Sequence, residues 1–141
     1  LDVGTGAGLP GLPLAIIKPE MEATLVDSAG KKIRFIRHVV RTLKLSNVHA
    51  LNQRVEDLAG KGAYANITSR AFASLNDFVE AVRPCADENT RLLAMKGARP
   101  TKELKDLPSW VKVQSVEPLT VPYLHAERHL VIMSLSNQPN S

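Results

Sequence analysis

Three glycines at alternate positions, Gly4, Gly6 and Gly8, follow directly on the apolar run 1–3. A chain that leaves a strand this way must turn sharply and keep its backbone open. Glycine takes positive φ at no steric cost and carries no Cβ to hold a neighbour away. Such a turn belongs at the carboxyl end of a strand in an open parallel sheet, where ligands sit. The rest of the chain must then supply the strands and helices of that architecture.

It does so by alternation. Strand-like runs cover residues 1–3, 23–27, 48–51, 65–68, 91–95, 111–116 and 129–135. Helical patterns cover 9–17, the stretch from a Ser28 cap to about residue 44, and 75–82, with a short turn or helix at 54–58 and a short helix around 102–107. Pro10 is tolerated in a first helical turn. Pro13 fits only if it too lies in that turn, or if the turn is irregular. Ile33, Ile36, Val40 and Leu43 mark one apolar stripe at helical spacing. Alternating elements predict an α/β fold, a mostly parallel sheet with helices on both faces. The last two strands have no helical pattern between them and predict a late antiparallel pair. Residues 1–135 form one domain in this reading, and 136–141 a polar tail. Leu1 stands inside a strand-like run where a methionine would begin a chain, so the chain is expected to be a fragment or a processed product.

Composition excludes several classes. An apolar fraction of 44% in 141 residues is enough for a core. Aromatic residues make up only 4%, which disfavours a binder of single strands that works by stacking. The net charge of +4 suits a polyanionic partner. The single cysteine, Cys85, forms no internal disulfide and no multi-cysteine metal site, and fits a reducing, cytoplasmic location. His38, His49, His125 and His129 lack metal-ligand spacing, so no metal is expected. Nothing near Cys85 except one arginine would activate a thiol nucleophile, and Trp110 reads as a packing residue. No apolar stretch is long enough to span a membrane, and no signal peptide is expected.

Asp27 ends the second strand, nineteen residues beyond Gly8. An acid there accepts hydrogen bonds from the hydroxyls of a ribose. The loop and the acid together imply a nucleoside-bearing cofactor. The spacing is G-x-G-x-G, not the G-x-G-x-x-G of pyrophosphate binding, and on pattern alone a nicotinamide dinucleotide stays open. Lys31 and Lys32 sit in the first turn of a predicted helix, where the dipole disfavours cations. They suggest an anionic partner, and Arg34, Arg37, Arg41 and Lys44 continue that basic side.

The order of elements and the loop D-V-G-T-G-A-G-L-P-G resemble a Rossmann-like class I S-adenosylmethionine-dependent methyltransferase. More narrowly, "DVGTGAGLPGLPLAI", "LVDSAGKKIRFI", "RVEDL", "ITSRAFASL", "MKG" and "ERHLVI" resemble the glucose-inhibited division protein B family, over residues 2 to about 135. The resemblance implies a bacterial enzyme that methylates N7 of one guanine in small-subunit ribosomal RNA. By the same resemblance Gly4, Thr5, Gly6 and Gly8 line the methionine and ribose of S-adenosyl-L-methionine. Asp27 holds the ribose hydroxyls, and Val55 and Glu56 lie against the adenine. Arg70 flanks the cofactor and the transferred methyl, and Lys31, Lys96 and Arg128 join it in a basic catalytic cluster. The implied partner is small-subunit ribosomal RNA or a ribosomal particle, with the enzyme acting as a monomer in the cytoplasm. The family carries a further N-terminal segment, largely helical, that this chain lacks.

Chemistry fits that reading. Guanine N7 bears a free lone pair and no proton at neutral pH, so no general base is needed, and alignment supplies much of the catalysis. Amino methyltransferases typically carry an Asn/Asp-Pro-Pro-Tyr motif after the fourth strand, where this chain reads Ser69-Arg70-Ala71-Phe72. The alternatives are a small-molecule methyltransferase, a nicotinamide-dependent oxidoreductase, and a non-catalytic RNA-binding remnant should the N-terminal segment be essential.

Overall fold

The structure, a computed structural model, describes residues 1–120, 122 and 126–136. The expectations for His125 and for nearly all of the polar tail lie outside the described residues. The chain packs as two compact units, Leu1–Leu58 and Ala59–Ser141.

The first unit runs β1 (Asp2–Val3), α1 (Gly11–Ile17), β2 (Ala23–Val26), α2 (Gly30–Leu43), β3 (Val48–Leu51) and a 3-10 turn at Val55–Leu58. Its strands are parallel, with β2 between the other two; Asp2 pairs with Leu25, and Ala23 with Val48. Leu12, Ala15, Leu25, Ile33, Ile36 and Val48 form the buried cluster between helices and strands. Asn47 ties the lower edge of this unit: its buried Nδ2 donates to Ala15 O at 3.0 Å and Met21 O at 2.8 Å.

Three local expectations change here. Helix α1 starts at Gly11, not residue 9, with Pro10 as its N-cap. Pro13 is then the third helical residue, where no intrahelical N–H bond is lost. Ser28 does not cap α2: the N-cap is Ala29, without a side-chain cap. Asp27 Oδ1 accepts from Ala29 N at 2.8 Å, which fixes the turn leading into the helix but does not cap its first-turn N–H groups. Leu43 leaves the predicted stripe and is 52% exposed, because it lies in the last turn, beyond buried Ile33 and Ile36.

The second unit runs β4 (Asn66–Ser69), α3 (Leu75–Val82), a 3-10 turn at Arg83–Cys85, β5 (Arg91–Lys96), α4 (Thr101–Lys105), β6 (Val111–Pro118) and β7 (His129–Leu135). β4 and β5 are parallel, and β7 lies antiparallel between β5 and β6. The expected late antiparallel pair is therefore β6 with β7, and a register shift between Val113 and Ser115 breaks the ladder of the outer strand. Ser74 caps α3 by accepting from Asp77 N at 3.1 Å. The helix buries Leu75, Phe78, Val79 and Val82, one face at helical spacing. The chain thus has the expected α/β architecture of mostly parallel strands with a late antiparallel pair.

Candidate functional site

The glycine loop leaves β1 at its carboxyl end. Gly4, Gly6 and Gly8 all take positive φ, at 64°, 60° and 93°. The loop is held from both sides. Thr5 N donates to Val26 O at 3.1 Å, and buried Thr5 Oγ1 donates to Asp2 Oδ2 at 2.7 Å. The same Asp2 oxygen accepts from Gly11 N at 3.1 Å, so one buried carboxylate joins the loop to the start of α1.

The three glycines do different work. A Cβ on Gly8 would fall on the Leu12 side chain, so this glycine admits α1 against the loop. Its N–H is also used, donating to Thr5 O at 2.9 Å. A Cβ on Gly6 would meet nothing within 4 Å. Gly6 is therefore the point where the backbone faces open space, and Thr5 and Gly8 are turned to the architecture beneath it.

Asp27 stands beside that opening. Its Oδ2 accepts from Gly6 N at 2.9 Å and its Oδ1 from Ala29 N at 2.8 Å. Each carboxylate oxygen has two acceptor positions. Each uses one here, and one on each oxygen remains for a ligand. Asn52 Nδ2 supports the same residue by donating to Asp27 O at 3.0 Å. Val55 is buried and Glu56 exposed at the start of the 3-10 turn that follows β3.

Helix α2 opens with Lys31 and Lys32 in a first turn without an acid, and both lysines are exposed. Arg34 and Arg41 share that exposure. Arg37 is partly engaged, donating from Nη2 to Ala50 O at 3.1 Å.

In the second unit a cleft opens at the carboxyl ends of β4 and β5, lined by Ser69, Arg70, Phe72, Ser74, Leu75, Phe78, Ala94, Met95 and Lys96. Arg70 is exposed and has no ion-pair partner among the described residues. Phe72 packs on Phe78, with ring centroids 5.6 Å apart. Lys96 faces His129 across the antiparallel register, so Arg128 lies at the same strand end. A Cβ on Gly97 would sit 4.0 Å from Arg128 Nη1, and the guanidinium itself donates to Glu127 O at 2.8 Å. Lys96 is not a free cation: its Nζ pairs with Glu103 Oε1 at 2.8 Å and donates to Ala73 O at 3.2 Å. Arg70, Lys96 and Arg128 belong to this second unit, and Lys31 to the first.

The other candidates have structural surroundings. His49 Nε2 lies 2.8 Å from Glu22 Oε2, and His129 Nδ1 lies 2.7 Å from Gly97 O. Cys85 is buried. Trp110 lies under the Arg83 guanidinium, 4.2 Å from its ring centroid. Among the described residues no cluster of histidine, cysteine and acids is suited to a metal, and no helix is long and apolar enough to cross a membrane.

Sequence reasoning missed Asp2 and Glu103. Asp2 was hidden inside an apolar strand, although an acid there with a threonine three residues on was a usable sign. Glu103 reaches Leu75 across 28 residues, and no local pattern announces it.

The protein family described as rRNA small subunit methyltransferase G matches residues 1–131. The ribosomal RNA small subunit methyltransferase G of Idiomarina loihiensis is 51% identical over 134 residues, 95% of this chain and 65% of its own length. The protein of the same name from Photobacterium profundum is 48% identical over 134 residues, with the same shares. The chain thus spans 65% of the length of these relatives. Among solved structures, a putative methyltransferase from Thermoplasma acidophilum shares the fold, with a TM-score of 0.76 at 12% identity over 96% of this chain and 67% of that one.

Proposed function

We propose, for a chain that belongs to the rRNA small subunit methyltransferase G family, that its protein transfers a methyl group from S-adenosylmethionine to N7 of a guanine in small-subunit ribosomal RNA. The observation that carries the cofactor half is the Asp27 carboxylate. It is fixed by Gly6 N and Ala29 N and keeps one acceptor position on each oxygen. A ribose offers two hydroxyl donors to those positions, and the open space at Gly6 lets a ligand approach the backbone. These residues fit the cofactor. Gly4 and Gly6 would line it, with Val55 and Glu56 toward the base. When bound, the cofactor supplies a methyl on a sulfonium, an electrophile that needs no metal or base.

The residues of this chain then have to orient the acceptor. In-line displacement at N7 requires alignment, worth up to about 7–11 kcal/mol in well-ordered cases. Arginine reads the O6 and N7 acceptors of guanine. A cation on N7 itself would block the attacking lone pair. Exposed Arg70 is therefore assigned to O6, to phosphate or to the cofactor, with Arg128 contributing positive charge just before the start of β7. Lys31 and Lys32 offer phosphate contacts from α2. With ribosomal RNA as the acceptor, the reaction on this reading belongs to the cytoplasm.

Two measurements test the reading. Calorimetry should show S-adenosylmethionine binding and no binding of a nicotinamide dinucleotide. Incubation with small ribosomal subunits from a strain lacking the enzyme should then produce 7-methylguanine at one site, mapped by mass spectrometry. Preference for the dinucleotide, or methylation at another atom, would overturn it.

A further inference from the structure

Lys96 and Glu103 bracket the end of the loop that carries Arg70. Glu103 Oε1 accepts from Leu75 N at 2.9 Å and pairs with Lys96 Nζ at 2.8 Å. The same Nζ donates to Ala73 O at 3.2 Å. Leu75 is the first residue of α3, and Ala73 precedes it by two. One ion pair therefore grips both a carbonyl and an N–H of a three-residue stretch. The side chains are 15% and 31% exposed, so the pair is shielded from much of the screening that weakens surface ion pairs. At its other end the loop is fixed by Ala71 N, which donates to Ser69 Oγ at 3.0 Å. Arg70 lies inside the Ser69–Ala71 turn, and Phe72 alone separates that turn from the grip at Ala73 and Leu75.

We infer that Glu103 is a positioning residue and that Lys96 acts through it: the pair fixes the loop between β4 and α3 so that Arg70 is held where the acceptor base must align. This rests on the methyl-transfer reading for Arg70. It also moves Lys96 out of the set of cations that meet RNA, because its charge is already directed at Glu103 and Ala73. The need for tight fixing follows from the chemistry, since a displacement of about 1 Å at a reacting centre can cost roughly 100-fold in rate.

The test uses Glu103→Ala, Glu103→Gln, Lys96→Met and the reversed pair Lys96→Glu/Glu103→Lys in the intact protein. Hydrogen exchange at the Leu75 and Ala71 amides reads the loop directly. Faster exchange is expected in Glu103→Ala, and less in Glu103→Gln, which keeps an acceptor for Leu75 N. Methyl-transfer kinetics should show kcat falling roughly 10- to 100-fold in Glu103→Ala with KM for S-adenosylmethionine unchanged. The reversed pair should not regain that loss, because Glu103→Lys leaves Leu75 N without an acceptor and Lys96→Glu leaves Ala73 O without a donor, although the ion pair itself is kept. Lys96→Met should leave the salt dependence of RNA affinity unchanged, whereas a lost phosphate contact would lower the slope by about 0.7–0.9. Unchanged exchange in Glu103→Ala overturns the inference. So does faster exchange with normal kcat, or a lowered salt slope in Lys96→Met. Faster exchange in Glu103→Ala beside a wild type that methylates no RNA would instead refute the proposed function and, with it, the catalytic purpose of the pair.

Discussion

Replacing Asp27 by alanine separates what the carboxylate does for the fold from what it does for the ligand. In the structure it accepts from Gly6 N at 2.9 Å and Ala29 N at 2.8 Å, so the substitution removes both bonds before any ligand is considered. Hydrogen bonds to a charged group are worth about 1.5–3 kcal/mol each, and partial exposure brings the expected loss of stability to about 1–3 kcal/mol in total. The ligand side is separate. Losing the ribose contacts should weaken S-adenosylmethionine by about 1.5–3 kcal/mol, roughly a 10- to 150-fold rise in Kd. Loosening of the Gly6 backbone alone could imitate part of that effect. A cycle resolves it: S-adenosylhomocysteine and its 2′-deoxy analogue are titrated by calorimetry into wild type and Asp27→Ala. If Asp27 holds the ribose, removing the 2′-hydroxyl should weaken binding about 10-fold in wild type and hardly at all in the variant. An equal penalty in both proteins would refute the contact, and an unchanged Kd in Asp27→Ala would refute any role in binding.

The glycines should respond differently. Gly8→Ala combines positive φ with a collision on Leu12, so a loss of about 2–4 kcal/mol is expected in urea unfolding. Gly6→Ala bears the backbone strain alone and should lose only about 1–2 kcal/mol, while S-adenosylmethionine affinity falls further than stability does; equal stability losses at the two sites would show that the loop relaxes. Lys31→Ala with Lys32→Ala should stabilise the protein by about 0.3–1 kcal/mol by relieving the start of α2, yet weaken RNA binding and flatten its salt dependence. Lower melting temperature in that variant would contradict the reasoning. Asn47→Ala should cost about 1–3 kcal/mol, since the carbonyls of Ala15 and Met21 lose their donor, and denaturant titration checks it.

What could be read from sequence was local. Gly6 and Asp27 were legible because strand ends, glycine spacing and an acid at a fixed distance are short-range signs of a shared loop. The stripe Ile33 and Ile36 was legible for the same reason, but Leu43 was not, because periodicity does not reveal where a helix runs past the layer it covers. Ser28 was misread as a cap because its propensity is high. The helix instead begins one residue later, with Ala29 at the N-cap, so the Ser28 side chain stands outside the capping position. Lys96 was read by its charge and its place at a strand end. Its partner, Glu103, is seven residues on, and the contact that gives the pair its purpose is at Leu75. Tertiary pairing of that kind leaves no trace in spacing.

The grip of Asp27 has a consequence for turnover. The ribose it would hold is common to S-adenosylmethionine and to S-adenosylhomocysteine, the product left after the methyl departs. A contact made equally to both cannot lower the chemical barrier, because it stabilises the ground state as much as the transition state. It also tightens the product, so each gain in capture is matched by slower release. On the proposed reading, selective expulsion of the spent cofactor would have to be arranged elsewhere, among groups that sense the sulfonium charge, and a tighter Asp27 contact would deepen inhibition by the product.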